Sequence, residues 1–249
     1  MTVQLWITGA AMSALLALGG CAHWSSSDPE QAARQWEQAQ ARTDGVAPWQ
    51  HQLFPGKRKN HYHYVWRDGR AAMAVSSEQS ISALRKVVWQ PAAELGAVRF
   101  SWRVASLIAD ADLQQSAKED SPVRLVLVFE GDRSRFSVKD AMLSELARTL
   151  TGEELPYATL MYVWSNHLPV GTVVNNRRTD RIRKLVIESG AQGVNRWLDY
   201  ERDIRADYER VFGEPPGALK AVAIMSDTDN TRSSVKAWYG AVTLVPRKP

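Results

Sequence analysis

Apolar and polar residues alternate along much of the chain with the period of two that marks a strand covered on one face. Val98, Phe100, Trp102 and Val104 alternate with Arg99, Ser101 and Arg103. Tyr62, Tyr64 and Trp66 do the same against His61, His63 and Val65, and the Asp68-Gly69 turn signal leads into a further strand over 71–76. Other stretches are apolar throughout. Val123–Phe129 is broken only by Arg124, which predicts a central strand covered on both faces. Val87-Val88-Trp89, Tyr157–Trp164 and Arg183–Ser189 also read as strands.

Two stretches keep helical spacing instead. Ser137 with Asp140 three residues on resembles a capping box, and Met142, Leu143, Leu146, Ala147 and Leu150 form a stripe that stops at Gly152. A second helix is predicted from near Asn195, carrying Trp197, Ile204, Tyr208, Val211 and Phe212, with Glu201–Arg205 as a stabilising pair. Gly213 and Pro215-Pro216 end it. Beyond it, residues 218–226 and 235–244 predict two strands joined by the acidic turn Asp227-Thr228-Asp229-Asn230-Thr231. About nine or ten strands and two helices, with no regular strand–helix alternation, disfavour a doubly wound sheet. The pattern predicts a mainly β fold: an antiparallel two-sheet sandwich of jelly-roll type with two inserted α-helices.

Composition adds bounds. At 249 residues, 45% apolar and 23% charged, the chain can bury a sizeable core. A net charge of +4 demands no polyanionic partner, and Arg177, Arg178, Arg181, Arg183 and Lys184 read as a solvated loop, so no nucleic-acid partner is expected. Ten tryptophans supply core packing and also the rings a sugar would stack on.

The amino-terminal region has its own logic. Residues 5–18 form an apolar run too short for a comfortable membrane span, and Leu18-Gly19-Gly20-Cys21 follows it. This resembles the lipobox of bacterial lipoproteins, with Cys21 as the lipid-bearing residue. As Cys21 is the sole cysteine, no intramolecular disulfide can form. Ala22, rather than Asp, implies sorting to the outer membrane of a Gram-negative cell. Residues 1–20 are therefore expected to be a signal peptide, and 21–48 a polar tether with a marginal helix that stands a single sandwich domain, 49–249, off the bilayer.

Several blocks carry a resemblance. They are 155–166 (Leu-Pro-Tyr-Ala-Thr-Leu-Met-Tyr-Val-Trp-Ser-Asn), 169–174 (Pro-Val-Gly-Thr-Val-Val), Phe212-Gly213-Glu214-Pro215-Pro216, the acidic turn, and Ala237-Trp238-Tyr239-Gly240. Together they make residues 50–245 resemble a bacterial family catalogued as domain of unknown function 3047. In that family the glycine after Trp-Tyr is often followed by an acidic residue, where this chain has Ala241. The resemblance implies relatedness and carries no activity.

Candidate chemistry is sparse. Asp227, Asp229 and Asn230 begin like a calcium loop, but Arg232 and Trp238 stand where an EF-hand needs Gly and Glu. A self-capping turn is the ordinary reading, and a structural calcium the sharper one. His61 and His63 share a strand face but have no third zinc ligand nearby. Trp164, Asn166 and His167 close a strand with a ring, an amide and an imidazole, and with Trp238 they are the expected ligand-binding set; a buried strand end is the alternative. No nucleophile elbow, phosphate loop, zinc-protease or dinucleotide motif occurs. Carboxylate pairs such as Glu130/Asp132 or Asp227/Glu201 are too common to signify a glycosidase by themselves. The expectation is a lipid-anchored envelope protein that binds a carbohydrate or other envelope ligand without catalysis. A glycan hydrolase and a structural envelope protein are the alternatives.

Overall fold

The computed structural model describes residues 29–38 and 48–247. The expected signal peptide and Cys21 lie outside them. In chain order the first elements are α1 (Pro29–Gln38), β1 (Gln50–Leu53), β2 (His61–Arg67), β3 (Arg70–Glu78), β4 (Ile81–Gln90) and β5 (Ala97–Val104). Then come β6 (Ser121–Phe129), α2 (Val138–Thr151), β7 (Ala158–Ser165), β8 (Val173–Asn175) and β9 (Ile182–Ser189). The last are β10 (Leu198–Asp203), α3 (Ile204–Phe212), β11 (Leu219–Asp227), β12 (Ser234–Tyr239) and β13 (Thr243–Val245).

The strands form the expected sandwich. One sheet runs β1-β4-β11-β6-β7-β9-β8; the other runs β10-β5-β12-β3-β2, with β13 added to β5. All pairs are antiparallel except β7–β9, which is parallel. β6 lies mid-sheet between β11 and β7 with all nine residues buried, as an apolar run broken only by Arg124 predicts. Between the sheets, Val98, Phe100, Trp102 and Val104 of β5 belong to the same core as Val123, Leu125, Leu127 and Phe129 of β6. The β2–β3 hairpin turns on Asp68 and Gly69, both at positive φ (50° and 77°), as its two-residue loop requires.

Local signals set the helix ends. Ser137 Oγ accepts the Asp140 N–H at 3.0 Å, and Gly152 closes α2 at φ 78°. The second helix, however, starts nine residues later than Asn195, at Ile204. Residues 198–203 form β10 instead, because Leu198, Tyr200 and Arg202 alternate inward and Tyr200 stacks on Phe100 at 5.3 Å. Glu201 therefore pairs across the sheet with Arg99 at 2.9 Å, and Arg205 turns to Glu209 at 3.4 Å.

α1 is not a spacer. Ala32 and Trp36 are fully buried; Trp36 packs on Trp49 (5.2 Å) and Tyr64 (5.7 Å), and its indole N–H donates to the Tyr239 carbonyl at 3.0 Å. A narrow stripe ending in a tryptophan suffices to dock the helix, since one indole buries a large apolar area.

Candidate functional site

The acidic turn is a crossing between layers. β11 belongs to the seven-stranded sheet and β12 to the other, so residues 228–233 carry the chain around a corner of the sandwich. Asp227 is 3% exposed and accepts from Arg124 Nη2 at 2.7 Å; Asp229 pairs with Lys57. Asp120, which the sequence did not single out, accepts from the Asn230 N–H (3.2 Å), the Thr231 N–H (2.8 Å) and the Thr231 hydroxyl (2.6 Å). Carboxylate oxygens of Asp120, Asp227 and Asp229 lie within 4.8 Å of one another, the one such group of metal-ligating types among the described residues.

Charge balance governs what this corner does. Burial pushes the Asp227 carboxyl well above its ordinary range, and Asp229 and Asp120 add to the effect while Arg124 opposes it. For Asp229 burial acts upward too, yet hydrogen bonds from Asp227 and Lys57 hold it below the ordinary value. The two neighbouring carboxyls are thus shifted in opposite directions. Next to them Lys184, 2% exposed, pairs with Glu119, and burial lowers its pKa. Lys57, Arg124 and the capped backbone already satisfy the three aspartates, so a cation entering here would compete with Lys57.

The expected ligand-binding set does not come together. Trp164 is 1% exposed, points into the core from β7 and donates its indole N–H to the Gly190 carbonyl at 3.0 Å. Asn166 ties down the loop before β6 by donating to the carbonyls of Ile108 (2.7 Å) and Ala111 (3.1 Å). His167 is exposed, 3.8 Å from Asp112. Trp238 lies on the other sheet beneath two guanidinium groups, Arg67 at 4.5 Å and Arg103 at 5.8 Å. The carboxylate pairs dissolve as well: Glu130 pairs with Lys220, Asp132 caps Ser134, and Asp227 and Glu201 lie in different sheets.

A different set converges at the edge of the sandwich where β1 and β2 end the two sheets. There a cleft of about 370 Å³ opens between Trp49, His51 and Leu84 on one side and Tyr62, Tyr64 and Met73 on the other. Lys59, Asn60, His61 and His63 complete its rim, and none of the lining residues among those described is acidic. The wall is fixed by hydrogen bonds. The buried Asn60 amide donates to the carbonyls of Ser226 (2.8 Å) and Ser82 (3.1 Å), and Tyr62 Oη donates to Ser82 O at 2.8 Å. Ser82 Oγ accepts the Asn60 N–H at 2.8 Å and shares a 2.8 Å hydrogen bond with His51 Nε2. Burial, Lys59 and His61 in turn hold His51 below its ordinary value, which favours the neutral ring. Ser82 is fully buried, so this serine–histidine pair anchors the wall and offers no nucleophile to a ligand.

Residues 47–243 match the model of a family described as Protein of unknown function (DUF3047). The chain belongs to that family. No curated protein matches it. Two solved structures resemble this DUF3047 domain in fold. One is the xyloglucanase domain of NopAA, a type three effector from Sinorhizobium fredii, in complex with cellobiose. It has 9% identity and a TM-score of 0.45, over 82% of this chain and 97% of that one. The other is the endoglucanase cel12A from Rhodothermus marinus, with 14% identity and a TM-score of 0.41, over 81% and 98%. Likenesses this distant assign neither substrate nor reaction.

Of the DUF3047 site, then, the sequence showed the acidic corner in part and missed the edge cleft. A usable signal was present: Lys59-Asn60-His61-Tyr62-His63-Tyr64 interleaves rings with polar groups. What hid the cleft is that its opposite wall, Trp49, His51 and Leu84, comes from two strands of the other sheet and the residue just before one of them.

Proposed function

We propose that this domain is a non-catalytic module that binds a carbohydrate or another cell-surface ligand in the edge cleft. The observation that carries the reading is the cleft's lining: Trp49, Tyr62 and Tyr64 beside His51, Lys59, Asn60 and His61. Apolar ring faces next to a few oriented polar groups are what a sugar ring with its hydroxyls requires. The hydrolase alternative finds no support there, since the lining has no carboxylate among the described residues and its one serine–histidine pair is sealed. A glycan array probed with the purified protein tests the reading. Binding to at least one glycan is expected, lost in Trp49→Ala and Tyr64→Ala and kept in Trp238→Ala. An array with no binding, or binding lost only in Trp238→Ala, would overturn it.

A further inference from the structure

Of the eight large apolar side chains left exposed among the described residues, six lie on α2 and β4. α2 shows Val138, Met142, Leu146 and Leu150, one every fourth residue, between 54% and 80% exposed. On β4, Val87 and Trp89 (46% and 69% exposed) stand on the same side of the strand as Arg85, the side away from the core residues Leu84 and Val88. Arg85 joins the two groups, because it pairs at 3.7 Å with Glu153, just past the Gly152 cap of α2. At the other end of α2, Asp140 bonds Thr179 and Lys139 donates to the Arg177 carbonyl at 3.2 Å, next to β9. Fourteen residues of helix span about 21 Å, close to the roughly 19 Å of four strand spacings from β4 to β9. α2 therefore crosses the sheet, and its Gly152 end lies beside the strand that carries Val87 and Trp89. An apolar surface of this extent marks a contact site.

The chain's own attachment indicates what covers it. Cys21 lies eight residues before Pro29, which at full extension is about 28 Å. α1 is docked by Trp36 and β1, the next strand, pairs with β4 at Gln50↔Arg85. An acyl chain on Cys21 would thus hold a bilayer near the edge that carries Val87 and Trp89. Charge supplies no rival attraction: Arg85, Arg133 and Lys220 are matched by Glu153, Glu154 and Glu130.

We propose that the α2 ridge with Val87 and Trp89 is a membrane-docking face that rests in the interfacial region of the phospholipid bilayer to which Cys21 anchors the chain. Tryptophan and aliphatic side chains suit that depth, and the balanced charges make the contact independent of anionic lipid. This rests on acylation at the lipobox and is independent of the glycan reading.

Acylated Cys21 leaves an introduced cysteine uniquely reactive. Full-length acylated protein in phosphatidylcholine vesicles is labelled with an environment-sensitive dye at Met142→Cys or, as control, at Ala117→Cys in the loop before β6. Spin-labelled lipids should quench the dye at 142 and leave the one at 117 at background. Adding Leu146→Glu should abolish the quenching at 142 while the protein stays vesicle-bound and its thermal unfolding stays cooperative. Equal quenching at both sites, or dye at 142 that self-quenches between paired copies without responding to lipid, overturns the proposal. So does a mass showing Cys21 unmodified in the mature protein.

Discussion

At the residue scale the buried corner is a contest between Arg124 and desolvation. Because the folded pKa of Asp227 lies above the ordinary 3.8, the folded state binds more protons in the window above that value. The stabilisation so gained is complete at acid pH and lost as pH rises through the folded value. Asp229, depressed, contributes in the opposite sense: its part is present above its ordinary pKa and is lost as pH falls. Asp227→Asn should therefore be penalised less, relative to the parent, as pH rises from about 4 to 8. Urea unfolding across that range checks this, and a penalty growing with pH would mean that the ion pair dominates. Arg124→Met leaves the carboxylates without their buried cation and should cost about 3–5 kcal/mol at neutral pH by the same measurement. Millimolar calcium should leave the parent's Tm in place, since Lys57 and Arg124 already serve the carboxylates; a rise of several degrees would show a cation site instead. Little of this was legible. Asp227 and Asp229 were conspicuous, but Asp120 and Arg124 reach them only through the fold. Trp164 was misplaced because 157–164 is apolar at nearly every position, so alternation could not say which side faces in.

At the element scale, sequence fared well where a single period dominates and badly where two compete. β5 and β6 formed as their patterns predict. Residues 197–212 satisfy a period of 3.6 and a period of two at once, and the free edge of β5 decided for a strand over 198–203. α2 formed with its predicted caps, yet most of its stripe faces outward. Leu146→Glu should consequently cost less than about 0.5 kcal/mol in urea unfolding, whereas a core-facing leucine would cost 2–5. α1 shows the converse, a weak stripe that docks. Trp36→Ala should destabilise the protein by about 3–5 kcal/mol, and a negligible change would mean that the helix is a free spacer after all.

At the scale of the whole molecule the layered body follows from the strand count and from the alternation of β2 and β5. Its open edge does not. Two sheets of unequal width leave a gap where β1 and β2 end, and side chains from four strands line it. No one-dimensional pattern marks such a meeting, which is why the binding residues expected from Trp164 to His167 proved structural or scattered. The account depends most on the ligand entering that gap. Histidine ring NMR reads this directly, because His51, His61 and His63 line the cleft and His167 lies elsewhere. Titration with a glycan that binds on the array should shift the ring signals of His51, His61 and His63 and leave His167 unmoved. A shift confined to His167, or none in the three cleft histidines at saturation, would contradict it.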